Sequence, residues 1–243
     1  MVPEKQISEF VTRVRAAAGE NLESVILYGS AASGEFREKF SDVNLLCVLH
    51  DTEFAALAKL GTTVEWWRKQ KNPAPLVMSK EELERSADVF IIELLDMQRH
   101  HRVLFGDDVI QGLAISTAQQ RVQVEYELRE KVIFLRQGLL SAAGDKGRMW
   151  ELLLGSVPAF ATLFRHALMV LGADAPDSRR AAVQALAKKI QFDPAPFLQL
   201  LDIREGKLDR KSLELSDVFG RYLQAVRKVT EAVDTMLEAG GPK

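Results

Sequence analysis

The chain has 243 residues, 47% of them hydrophobic and 27% charged, with a formal net charge of -2. That apolar share supports a packed core and excludes a disordered or collagen-like chain. The near-neutral balance argues against a nucleic-acid partner held through phosphate. The single cysteine, Cys47, excludes an intramolecular disulfide and a cysteine-based zinc cluster. No N-terminal stretch reads as a signal peptide and no uninterrupted apolar run is long enough to span a bilayer. The expectation is a soluble, cytoplasmic protein without a membrane partner.

Along the chain, Ile7, Phe10, Val11 and Val14 keep helical spacing, which predicts a helix over 3–18 closed by Gly19 and Asn21. Val25 to Tyr28 is a short run of β-formers ending at Gly29-Ser30, read as a buried strand and a turn. Val43 to Leu49 reads as a second buried strand. Residues 53–70 read as a helix stopped by Pro73 and Pro75, with Trp66 and Trp67 near its end as core and rim of the domain. Leu76-Val77-Met78 fits a short strand, and Ser79 fits the cap of the helix that follows. Val89 to Leu95 reads as a third strong strand. Cys47, inside an apolar strand, is expected to behave as a small buried hydrophobe.

Beyond residue 116 the period lengthens to three and four. Residues 119–142 and 147–171 carry apolar stripes, as do Phe219, Tyr222, Leu223, Val226, Val229, Val233, Met236 and Leu237. Gly172, Pro176, Pro194 and Pro196 punctuate shorter helices between them. The expected class is therefore α+β: a small mixed sheet with helices over 1–112, then an all-helical bundle over 113–243. Charge divides the same way, with a net of -5 in residues 1–110 and +3 in residues 111–243.

The segment Leu27-Tyr28-Gly29-Ser30-Ala31-Ala32-Ser33-Gly34, followed by Phe40-Ser41-Asp42-Val43-Asn44-Leu45-Leu46, carries the chemistry. Gly29 lets backbone approach a ligand, the helix start that follows offers unpaired N–H groups to an anion, and Ser30 adds a hydroxyl. Asp42 suits a hard divalent cation. Asp42 opens the next strand, where residues two apart point the same way, so Asp42 and Asn44 share a face while Val43 turns inward.

These residues resemble the motif of the polymerase-β-type nucleotidyltransferase superfamily: an apolar strand, Gly-Ser, a spacer of about a dozen residues, then Asp-x-Asp or Asp-x-Glu in an apolar strand. Eleven residues separate Ser30 from Asp42. Glu93, within Phe90-Ile91-Ile92-Glu93-Leu94-Leu95-Asp96, stands where the family carries a third carboxylate, and Asp96 is the alternative. His101-Arg102-Val103-Leu104-Phe105-Gly106 resembles the phrase that often ends such domains. A two-part architecture of this kind resembles the kanamycin nucleotidyltransferase. The resemblance implies magnesium-dependent (or manganese-dependent) transfer of NMP from an NTP substrate to a hydroxyl on a small molecule or protein. Gly29 and Ser30 would hold the β- and γ-phosphates. Asp42, Asn44 and Glu93 would ligate metal, and Asp42 and Glu93 would be catalytic, Glu93 alternatively taking the acceptor's proton.

Two positions depart from the motif. Asn44 replaces its second aspartate and brings an amide oxygen without charge, where a carboxylate–Mg²⁺ contact has a gross attraction on the order of 10 kcal/mol at an effective dielectric of 20. Ser33 stands where the family frequently has arginine. They open a second reading, a catalytically impaired homologue acting as a nucleotide-binding or protein-binding regulator, as antitoxin-like modules do. Elsewhere, His100-His101 reads as a solvated basic surface. Arg129, Lys131 and Arg136 read as a solvated helical face that could alternatively meet a triphosphate.

Overall fold

The computed structural model describes residues 1–235, divided into two compact units, Met1–Thr117 and Ala118 onward. The division falls later than the 112/113 boundary expected, because Ile110 and Leu113 are buried in the core of the first unit. Met236 and Leu237, assigned to the last apolar stripe, lie outside the described residues.

The first unit opens with helix α1 (Glu4–Ala18), which ends at Gly19 with φ 57°. Strand β1 (Leu22–Tyr28) follows, then a 3-10 turn over Gly29–Ala31 and a loop to strand β2 (Asn44–Leu49). Helix α2 (Phe54–Lys69) leads to strand β3 (Leu76–Met78). Helix α3 (Lys80–Arg85) starts at Ser79 with a full capping box: the Ser79 hydroxyl accepts from the Glu82 N–H, and the Glu82 carboxylate accepts from the Ser79 N–H. Helix α4 (Ile91–Arg99) and strand β4 (His101–Gly106) complete the unit. The sheet is mixed, ordered β3-β2-β1-β4, with β1 antiparallel to both neighbours and β2 parallel to β3.

Both faces of the sheet are covered, which is why β1 and β2 are continuous apolar runs. On one face Val25, Leu27, Leu45, Cys47 and Leu49 pack with Ile7, Phe10 and Val14 of α1 and with Leu60 and Trp67 of α2. Trp67 is fully buried against Phe10, ring centroids 4.9 Å apart, and Trp66 is partly exposed under the Arg13 guanidinium. On the other face Ile26, Leu46 and Val48 pack with Leu83, Ala87, Leu94, Met97, Ile110 and Leu113.

One element differs from the sequence reading. Residues 91–99 form a helix, where a strand over 89–95 was expected. The buried residues Ile91, Ile92, Leu94 and Met97 follow a helical face, and Val89 and Phe90, which would be core in a strand, are largely exposed. The phrase 101–106, in turn, is itself a strand paired with β1.

The second unit is helical: α5 (Gln120–Ala142), α6 (Lys146–Val170), α7 (Arg179–Ile190), α8 (Ala195–Arg204) and α9 (Leu215–Asp234). Phe160, Phe164, Phe197 and Tyr222 form a connected aromatic core, with Phe197 stacked on Tyr222 at 4.4 Å. Helix α6 is long and apolar enough to cross a membrane, contrary to the sequence reading, yet 61% of that stretch is buried inside the protein, as befits a core helix. Pro158 lies within α6 and leaves the Leu154 carbonyl without a helical donor. The Arg204 guanidinium donates to that carbonyl at 2.6 Å.

Candidate active site

The site forms where β1 ends. Tyr28, its last residue, lies directly opposite Asn44 on β2 and opposite His101 on β4. Residues opposed in an antiparallel pair project from the same face. The row His101–Tyr28–Asn44 therefore lies on the face that α3 and α4 cover, in line with Ile26 and Leu46.

Gly29 follows at φ 71°, a left-handed conformation that favours glycine. It is also closely approached: a Cβ at this position would stand 3.0 Å from the Asn44 side-chain nitrogen Nδ2. The Asn44 amide is thus packed against the Gly29 backbone, at the mouth of the Gly-Ser turn. The turn closes with the N–H groups of Ala32 and Ser33 donating to the Gly29 carbonyl, both at 3.0 Å. Ser30 and Ser33 are partly exposed, and the Ser33 hydroxyl reaches the Ser30 carbonyl at 3.5 Å, so it bonds within the turn.

Asp42 is exposed in the loop just before β2, while Val43 is buried and anchors the loop to the core. The strand begins at Asn44, so the common strand face expected for Asp42 and Asn44 does not apply; Asp42 is carried by loop backbone. Glu93 is exposed in the first turn of α4 and not on a strand. Its charge still acts on the row: burial first, then the Glu93 carboxylate, hold the Tyr28 hydroxyl above the usual phenol range. Asp96 stands one turn farther along α4 and is partly buried.

The oxygen donors at Asp42, Asn44 and Glu93 are of the kind a hard cation takes. Among the described residues, however, no group of three or more His, Cys, Asp and Glu side chains could hold a metal ion. With asparagine at 44 the motif supplies two carboxylates.

Tyr28 and His101 were not singled out for the site by sequence. His101 is no solvated surface residue: its side chain is 8% exposed and bonded on both ring nitrogens. In the helical unit, Arg129 pairs with Glu125 and Asp234, and Lys131 with Glu127. Arg136 is exposed beside a groove of about 310 Å³ that Arg129, Arg227 and Glu231 also line.

No family model matches the chain, and no curated protein matches it in sequence. Among solved structures, the chain is similar to spectinomycin adenyltransferase AAD(9) from Enterococcus faecialis, solved with ATP and spectinomycin. The likeness covers 95% of this chain and 99% of that one, with a TM-score of 0.61 and 13% identity. The likeness is one of fold, a small mixed sheet followed by a helical part.

Proposed function

We propose that the chain is a nucleotidyltransferase that moves the NMP group of an NTP, ATP being the first candidate, to a hydroxyl of a small molecule. The observation that carries this reading is the end of β1. There a positive-φ glycine and Ser30 form a turn against the Asn44 amide, with the Glu93 charge acting on the neighbouring Tyr28. The fold supports it, since the similar spectinomycin adenyltransferase was solved with ATP and an acceptor.

In this reading the Gly29-Ser30 turn receives the β- and γ-phosphates through backbone N–H groups and the Ser30 hydroxyl. The acceptor oxygen attacks the α-phosphorus, the bond to the bridging oxygen of the β-phosphate breaks, and pyrophosphate leaves. Glu93 takes the proton released by the acceptor hydroxyl. Asp42 and Asn44 would hold Mg²⁺ or Mn²⁺, which would supply charge neutralisation at the triphosphate; Glu93 would be a third ligand only in place of its role as base.

Asn44 favours a second reading, a homologue that binds nucleotide without turning it over. Pyrophosphate release from each NTP with Mg²⁺ or Mn²⁺ and a pool of hydroxyl acceptors separates the two. Transferase activity predicts release by the wild type, its loss in Asp42→Ala, and a lower Mg²⁺ requirement in Asn44→Asp, by about tenfold. A silent wild type revived by Asn44→Asp supports the second reading. Absence of nucleotide binding in all three proteins rejects both.

A further inference from the structure

Three segments meet at one imidazole. The Nδ1 of His101 lies 2.7 Å from the backbone carbonyl of Met97 on α4, and its Nε2 lies 3.0 Å from both carboxylate oxygens of Asp108. A carbonyl oxygen only accepts, so Nδ1 carries a hydrogen. Asp108 Oδ1 already accepts from the backbone N–H groups of Ile110, at 3.1 Å, and Gln111, at 3.0 Å. Burial works to raise the Asp108 pKa, but the hydrogen bonds from His101, Gln111 and Ile110 outweigh it and hold the carboxyl below its ordinary value. Both ring nitrogens are therefore engaged, one by α4 and the other by the 107–113 segment.

The elements joined here bear on the site. Helix α4 spans nine residues, has no side-chain cap at its start, and carries Glu93 in its first turn. Its second tie to the same connecting segment is Gln98, whose side-chain amide donates to the carbonyls of Ile110 at 3.1 Å and Leu113 at 2.7 Å. His101 sits just past the C-terminal end of α4. It also lies opposite Tyr28 in the β1–β4 register.

We propose that His101 is a positioning residue: through its two ring nitrogens it ties the last turn of α4 to β4 and to the 107–113 segment, and so fixes where Glu93 stands relative to Tyr28 and Asn44. For the role of Glu93 this rests on the nucleotidyltransferase reading. Asp108 contacts the ring directly. The other titratable or charged groups on the elements packed around it are Glu23 and Tyr28 on β1, Glu93, Asp96 and Arg99 on α4, Asp107 in the 107–113 segment, and His100 and Arg102 beside it. The Arg102 guanidinium is paired with Glu4 on α1.

The test uses the full chain and two readouts. Amide exchange in His101→Gln should speed up about 10- to 100-fold across residues 91–99 while β1 and β2 stay protected. Unchanged exchange in α4 overturns it. Should that variant fail to fold, Asp108→Asn carries the same exchange test. In the pyrophosphate assay, His101→Gln should lower kcat about tenfold with the KM for ATP within about twofold. A raised KM at unchanged kcat overturns the link to Glu93. A wild type without pyrophosphate release rejects the nucleotidyltransferase reading, while the exchange results still decide the role of His101.

Discussion

At the scale of single residues, Cys47 shows how burial sets chemistry. It lies mid-strand in β2 with no exposed surface, and burial pushes its thiol from 9.0 up to about 12. The fold thus favours the neutral thiol. That preference is fully present below about pH 9 and is lost as pH rises through the window from about 9 to about 12. The shift corresponds to about 4 kcal/mol at most. Burial raises Tyr28 and Tyr222 in the same sense, so they add to the slope at high pH. Urea midpoints should stay level from pH 7 to about 8.5 and fall above pH 9, more gently in Cys47→Ala than in the wild type. A thiol reagent should leave the native protein unmodified and label it once unfolded; labelling of the native protein at pH 8 would contradict this account.

At the scale of elements, the pairing of β4 with β1 depends on how β4 ends. Gly106 closes the strand at φ 74°, and a Cβ there would lie 1.9 Å from the Glu23 carbonyl oxygen. Beside it the buried Ser24 hydroxyl reaches the carbonyls of Phe105 and Asp107, at 3.0 and 2.8 Å. Gly106→Ala should destabilise the protein by about 3 kcal/mol, read by urea unfolding, since backbone at both ends of the contact must shift. The elements differ in how plainly their sequences announce them. Helices α1, α2, α5 and α6 are legible because their apolar spacing has one period and their ends carry Gly, Pro or a cap. Strands β1 and β2 are legible as dense runs of β-formers. Residues 89–95 are not, because an apolar run of that length suits a buried strand and a buried helix equally. What decides it is the Met97-Gln98-Arg99 continuation, which belongs to the helix. Within the site, Gly29, Ser30 and Asn44 are legible because each borders a recognisable strand. The grouping of residues 28, 44 and 101 is a property of strand register, which residue spacing does not encode.

At the scale of the whole molecule, two cores have been built from one chain. The first unit has apolar layers on both faces of its sheet, and the second is organised around the aromatic residues of α6, α8 and α9. Residues 111–117 hold no charged side chain, so the division of charge between the acidic first unit and the basic second one coincides with the structural division. Each unit exceeds the size at which a single core usually suffices for folding. Residues 1–117 expressed alone should therefore give a cooperative thermal transition with strand-containing circular dichroism. A molten or unfolded product would show that this core is incomplete without the helical unit.

The carbonyl of Leu154, orphaned by Pro158 and answered by Arg204, constrains the order in which this sequence can change. Replacing Pro158 first by a residue with an N–H restores a local donor and leaves position 204 free to drift. Replacing Arg204 first strands a buried acceptor, at about 1–3 kcal/mol. Arg204→Ala should consequently be milder on a Pro158→Ala background than alone, a difference that a double-mutant cycle measures directly. In descent from a common ancestor, arginine at 204 would then outlast proline at 158, and their order of loss would be recorded in the branching of the lineage.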